Sequence, residues 1–275
     1  MKEAKNMKNT DKFAEKIFKE FSECPEVEAI ALGGSRASGK SDDKSDYDVY
    51  VYISGEFSKE KRSEILSRHC SVSEIGNSYW EPEDNCILND GIYIDIIYRD
   101  LDEFSAGISE TVDRCVPRNG YTTCMWHNLL GSKIIFDRNG RLARLQNRYD
   151  IPYPDELRKN IIERNMKLLS GVLPSYDLQI KKASERGDTV SINHRTAEFL
   201  ASYFDIIFAL NRLTHPGEKR LVQLCSESCK ILPKDFEKNL NELFHGMFSG
   251  NVCSYIEKIV EEIKVTVNEN IQFKI

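Results

Sequence analysis

The period of the hydrophobic positions changes several times along the chain, and each change marks an element. Phe13, Ile17 and Phe21 recur four apart in residues 11–23, one face of a helix that Pro25 ends. The run VEAIALGG that follows is short and apolar and closes on a glycine pair, which predicts a strand entering a turn. Residues 35–44, SRASGKSDDK, are rich in Ser, Gly and charge and predict a loop whose first residues begin a helical turn. DYDVYVYI then alternates with period two. Asp46, Asp48, Tyr50 and Tyr52 share one face, and Tyr47, Val49, Val51 and Ile53 the other. Residues 58–70 predict a helix, and CILNDGIYIDIIYRD predicts two strands around the hairpin turn Asn89-Asp90-Gly91. After Tyr98 the pattern becomes helical, with a short strand at KIIFD.

From about Pro152 the period is helical throughout, punctuated by Pro154, Pro174, Pro216 and Pro233. The most apolar segment is 196–213. Phe199, Tyr203, Ile207 and Leu210 form one stripe there, and Leu200, Phe204 and Phe208 another. A helix apolar on most sides predicts the central member of a bundle. The expected fold class is α+β: a domain over 1–150 with a small mixed sheet flanked by helices, then an all-α helical bundle over 151–275, joined near Arg148–Pro154. A length of 275 residues suits two moderate domains.

Charge narrows the partners. Lys and Arg number 38 against 44 Asp and Glu, a net charge of −6. That disfavours a dedicated binder of nucleic acid, which carries a basic excess, but leaves room for a nucleotide as substrate. No apolar run approaches the roughly 18 residues of a membrane span. The polar, lysine-bearing start Met1–Asp11 lacks the apolar stretch of a secretory signal. Eight cysteines are scattered, and the close pair Cys225 and Cys229 has no second pair to complete a zinc site. The expectation is a reduced, cytoplasmic protein with no membrane partner.

The chemistry concentrates in Leu32–Val51. Gly33 and Gly34 let backbone approach a phosphate closely and adopt positive φ, and Ser35 adds a hydroxyl donor. Asp46 and Asp48, two apart on a strand, leave the same face roughly 7 Å apart. Two like charges there are costly without a cation, and hard oxygen ligands suit Mg²⁺. A phosphate cradle beside a carboxylate pair is what metal-assisted nucleotidyl transfer needs. Asp95, in GIYIDIIY, is a charge inside an apolar strand and is expensive unless paired or coordinated. Asp100 and Asp102 lie past that strand, where an N-cap role accounts for them. The five histidines show no H-x-x-x-H pairing, and neither a P-loop nor a Gly-x-Ser-x-Gly elbow is present.

Strand, Gly-Gly-Ser turn, loop and SDYD strand, in that order, resemble the nucleotidyltransferase superfamily of the DNA polymerase beta type. The resemblance implies metal-binding aspartates at Asp46 and Asp48, and a third carboxylate, here Asp95, as a further metal ligand or a general base. It also implies β- and γ-phosphate contacts at Gly34 and Ser35, with Arg36 as a further one. The helical second half is similar to small-molecule adenylyltransferases of the aminoglycoside and lincosamide type. There, FALNRLTHPGEKRLVQL matches a weaker pattern at Arg212, Thr214, Gly217 and Lys219, which implies that Lys219 reaches the triphosphate. The expected reaction is Mg²⁺-dependent transfer of AMP from ATP, or of another nucleoside monophosphate, to a hydroxyl of a small molecule, an antibiotic among the candidates. A protein or RNA acceptor, or a nucleotide-sensing or toxin–antitoxin partner without the reaction, are the alternatives.

Two polar groups remain open. Glu198, Asp205 and Arg212 recur every seven residues on the apolar helix, facing either solvent or a cleft that binds a cationic acceptor. Trp80, Glu81, Glu83 and Asp84 form either an acceptor contact or an ordinary loop.

Overall fold

The computed structural model describes residues 12–37, 39, 42 and 45–271. The polar start and most of the loop over 38–44 therefore lie outside the described residues. The described residues divide into two compact units: one is those up to Ile108 with Asn128–Ile151, the other Ser109–His127 with those from Pro152 on. Among the described residues no helix is long and apolar enough to cross a membrane.

The first unit is built on a six-stranded mixed sheet. Its elements run α1 (Lys12–Glu23), β1 (Val27–Leu32), α2 (Gly34–Ala37), β2 (Tyr47–Ile53), α3 (Lys59–Leu66), β3 (Cys70–Asn77), β4 (Glu83–Leu88) and β5 (Tyr93–Asp100). They continue through α4 (Leu101–Val112), α5 (Cys124–Gly131), β6 (Lys133–Asp137) and α6 (Arg141–Tyr149), with α4 and α5 carrying the chain from one unit to the other. The strand order is β3-β4-β5-β2-β1-β6. Only the β2–β5 neighbours run parallel, and the other pairs are antiparallel.

Alternation decides which face is covered. Tyr47, Val49 and Val51 of β2, Ile94 and Ile96 of β5, and Cys86 and Leu88 of β4 join Ile17, Phe18 and Phe21 of α1 and Ile65 and Leu66 of α3 in one core. Ser58 caps α3, its side chain accepting from the Lys61 amide at 3.3 Å. Asp84 points to the covered side as well. It is fully buried, accepts from Arg62 at 2.7 Å, from the Gly76 amide at 2.7 Å and from the Tyr98 hydroxyl at 2.8 Å, and burial pushes its carboxyl up. Asp84 is therefore neither the acceptor contact nor the loop residue that the sequence left open for Trp80, Glu81, Glu83 and Asp84. Trp80 is 87% exposed and packs edge-on against Tyr79. Glu81 is bound to Arg99.

The second unit contains α7 (Asp155–Leu169), α8 (Tyr176–Glu185), α9 (Thr189–Leu210), α10 (Leu221–Ser228), α11 (Phe236–Gly246) and α12 (Val252–Asn270). The apolar helix α9 is buried along nearly its whole second half. Phe199 stacks on Tyr203, and Tyr203 on Phe236, with centroids 6.2 and 6.3 Å apart. Where a single crossing near residue 150 was expected, Ser109–His127 also groups with the helices. Its docking is polar and close. The Gly120 amide donates to Asn165 Oδ1 at 3.2 Å. Gly120 has φ +85°, and a Cβ there would meet the Ala201 backbone at 2.9 Å, so only glycine fits without strain.

Candidate functional site

The β1–β2 connection places the glycine turn against the acidic strand. Gly33 donates its amide to the Asp48 carbonyl at 2.8 Å, which closes the end of β1 on β2. Gly34 then adopts φ +58° and opens the four-residue turn α2. A Cβ on Gly34 would collide with the Asp48 carboxylate, and one on Gly33 would come within 2.6 Å of the Tyr50 ring. Both glycines are thus required by side chains leaning in from β2. Ser35 is half-buried within the turn.

Arg36 is directed at the chain's own backbone. Its guanidinium donates to the Ser45 carbonyl at 2.9 and 2.5 Å and to the Asp46 carbonyl at 3.3 Å. It also lies 3.6 Å from the centre of the Tyr47 ring. Arg36 therefore fixes the approach to β2, whatever else it touches. Asp46 is exposed and sits one residue before β2 begins, whereas Asp48 is inside the strand and half-buried.

The parallel pairing sets Asp48 opposite Asp95 in register. Neighbouring strands are about 4.8 Å apart, so two carboxylates leave the same face side by side. This is the face turned away from the α1 and α3 core, because their neighbours Val49, Ile94 and Ile96 point into that core. Asp95 accepts from Asn85 Nδ2 at 2.9 Å, and Asn85 Oδ1 accepts from Asn77 Nδ2 at 2.6 Å. Further along the same face, Arg99 binds Glu81 with two nitrogens, at 2.8 and 2.9 Å, and Asn128 with a third at 2.9 Å. Its guanidinium lies 4.4 Å from the Tyr50 ring centre.

Asp48 and Asp95 fit Mg²⁺ in donor chemistry: both offer hard oxygens, and no side chain at Gly34 occupies the space beside them. Among the described residues no three His, Cys, Asp or Glu side chains form a closed metal cage, and Asp46 is not drawn into one. Mg²⁺ does not need such a cage, since it commonly takes one or two carboxylates and completes its shell with phosphate oxygens and water. Sequence reasoning missed Asn85. Folding the hairpin about Asp90 pairs residues 85 and 95 and would have found it.

The heptad stripe of the second unit separates into three environments. Asp205 is 1% exposed. It accepts from the Thr122 amide at 3.1 Å, the Thr122 hydroxyl at 2.7 Å and Asn165 Nδ2 at 3.1 Å, and burial pushes its carboxyl up to about 7. Facing neither solvent nor a ligand cleft, it anchors the 109–127 segment. Glu198 is half-buried beside the Tyr176 hydroxyl, 3.4 Å away, and Arg212 is exposed and paired with Asp155. Thr214 bonds His127 Nδ1 at 2.8 Å. The Gly217 amide donates to His215 Nδ1 at 3.2 Å, and burial holds the His215 ring down at about 4. Lys219 is exposed in the turn before α10. Cys24, Cys70, Cys86, Cys115, Cys225, Cys229 and Cys253 are unbridged thiols.

Residues 15–81 match the family described as Polymerase beta, Nucleotidyltransferase. Residues 123–221 match a domain of unknown function, DUF4037. No curated protein shows significant similarity to the chain. Among solved structures, the chain is similar to a nucleotidyltransferase-like protein from Exiguobacterium sibiricum, with 12% identity and a TM-score of 0.45 over 95% of this chain and 78% of that one. It is also similar to an aminoglycoside 6-adenyltransferase from Bacillus subtilis, with 9% identity and a TM-score of 0.30 over 95% of this chain and 92% of that one. The matched segment contains the glycine turn, Asp46 and Asp48, and over residues 15–81 the first unit is similar to nucleotidyltransferases of the polymerase beta type.

Proposed function

We propose that the protein transfers a nucleoside monophosphate, AMP from ATP, to a hydroxyl group of a small molecule and releases pyrophosphate. The observation that carries this reading is the register of Asp48 against Asp95 beside the Gly34 turn, in a unit whose residues 15–81 match the polymerase beta nucleotidyltransferase family. In the reaction the acceptor oxygen attacks the α-phosphorus, the bond to the β-phosphate bridging oxygen breaks, and the hydroxyl proton leaves to water. Asp48 and Asp95 would hold Mg²⁺, which when bound neutralises charge on the triphosphate, with Asp46 as the exposed carboxylate at the entry to β2. Gly34 and Ser35 offer the β- and γ-phosphates backbone and hydroxyl donors at close approach. Arg36 keeps the Asp46 backbone in place through its carbonyl contacts. The net charge of −6 favours a compact acceptor over a nucleic-acid track, and suits a cationic one. The unbridged thiols Cys24, Cys70, Cys86, Cys115, Cys225, Cys229 and Cys253 support a cytoplasmic place of work.

The test supplies ATP labelled at the α-phosphate, with Mg²⁺, to the protein and a panel of aminoglycosides, lincosamides and a metabolite extract. Label is expected on one small molecule, dependent on the metal. Label found on protein or RNA keeps the chemistry and replaces the acceptor, and no transfer anywhere ends the reading. The same reading gives exposed Lys219 a phosphate contact. Lys219→Ala is then expected to weaken MgATP binding about tenfold, the range of one charge-assisted hydrogen bond. Calorimetric titration reads this directly, and an unchanged affinity returns Lys219 to solvent.

A further inference from the structure

The row that pairs Asp48 with Asp95 continues across the sheet. Asp95 is in register with Asn85 on β4, and Asn85 with Glu74 on β3, the edge strand. Hydrogen bonds follow the same line. A carboxylate only accepts, so the Asn85 group facing Asp95 is its NH₂. The Asn85 carbonyl oxygen then faces Asn77, whose own NH₂ is 2.6 Å from it and 3.5 Å from Glu74 Oε2. Each amide along the line is oriented by the next, and the direction of donation runs from Asn77 through Asn85 to Asp95. One Asp95 oxygen, Oδ1, is thereby held at 2.9 Å.

We propose that Asn85 is a positioning residue for the metal site: held by Asn77, it fixes one oxygen of Asp95 and aims the other at the cation. The inference rests on the assignment of Asp95 as a metal ligand. A ligand carboxylate tethered by a neighbouring donor has fewer orientations to lose on binding, and removal of such partners typically costs 10–100-fold in metal affinity or activity. The arrangement makes a distinctive demand on Asn77, which touches neither Asp95 nor a cation. An aspartate at 77 would present oxygen to oxygen, turn the Asn85 amide over and point its carbonyl at Asp95.

The probe is Mn²⁺ with α,β-methylene-ATP, followed by loss of the free-ion paramagnetic resonance signal. Asn85→Leu and Asn77→Asp are each expected to weaken Mn²⁺ uptake about tenfold, in line with such partners elsewhere. Asn85→His, whose Nδ1–H can replace the amide donor, is expected to recover most of the loss. Folding of each variant is checked by its melting temperature. Should Asn85→Leu fail to fold, Asn77→Asp carries the test, because it keeps the side chain's size and reverses the amide, while the negative charge it adds would by itself favour a cation, so a loss of Mn²⁺ is due to the reversed amide. Asp95→Asn is the control. If that variant loses Mn²⁺ and the two asparagine variants do not, the role of Asp95 stands and Asn85 is idle. If Asp95→Asn keeps Mn²⁺, the assignment of Asp95 falls and the role of Asn85 with it.

Discussion

Asp48→Asn is expected to lower nucleotidyl transfer at least about a thousandfold while raising the melting temperature of the metal-free protein. The two effects have one cause. Asp48 is in register with Asp95 on a parallel neighbour, and like charges directly opposite on a sheet are destabilising by a few tenths to about 1 kcal/mol. Removing one charge relieves that repulsion, so the apo protein should melt slightly higher. In the loaded state the same charge offsets the cation and aligns the triphosphate, a contribution of several kcal/mol to the transition state. Asparagine preserves shape beside Gly34, so the comparison isolates charge. Asp95→Asn should behave alike, and the double variant should be barely worse than either, because residues serving one cation do not act additively. Steady-state transfer assays and thermal melts with and without Mg²⁺ read both signs. Near wild-type turnover in Asp48→Asn would falsify the assignment.

The elements that position this site were legible because each carries a strong local pattern. β2 alternates without a break, the Asn89-Asp90-Gly91 turn fixes the β4–β5 hairpin, and a glycine pair closes β1. β3 was not legible. CSVSEIGN is an edge strand with exposed residues along its centre, so no apolar face imposes alternation on the sequence, and the helical reading of 58–70 ran over its start. The site was legible in the same measure. Asp46, Asp48 and the glycine turn are adjacent in sequence, whereas the link from Asp95 to Asn85 and Asn77 exists only once three strands are side by side. Asp205 misled for a related reason. Its seven-residue spacing from Glu198 and Arg212 suggested a polar stripe, but α9 is covered at Asp205 by the 109–127 segment, a long-range contact that helical periodicity does not encode.

That segment gives the second large effect. Asp205→Ala is expected to cost the second unit about 3 kcal/mol, since it leaves the Thr122 amide, the Thr122 hydroxyl and Asn165 Nδ2 buried without their acceptor. Trp126 is buried in the same unit against Tyr153, so its fluorescence during urea unfolding reports on the packing concerned. The cost should also depend on pH. Burial raises the Asp205 carboxyl in the folded state from an ordinary 3.8 to about 7, opposed by the donors from Thr122 and Asn165. Between those values the folded protein keeps a proton that the unfolded chain has released, so stability from this group is full below the lower value and declines as pH rises through the upper. The difference between wild type and Asp205→Ala should therefore be largest near pH 5 and shrink toward pH 8, by on the order of 1 kcal/mol or more. Asp205→Asn has no carboxyl to titrate and only one acceptor oxygen for three donors. It should be destabilised against the wild type at pH 5 and should not itself follow this titration. A gap between wild type and Asp205→Ala that is constant from pH 5 to 8 would mean the carboxyl stays ionised throughout, held by its three donors, and would make Asp205 a charged anchor of the 109–127 segment.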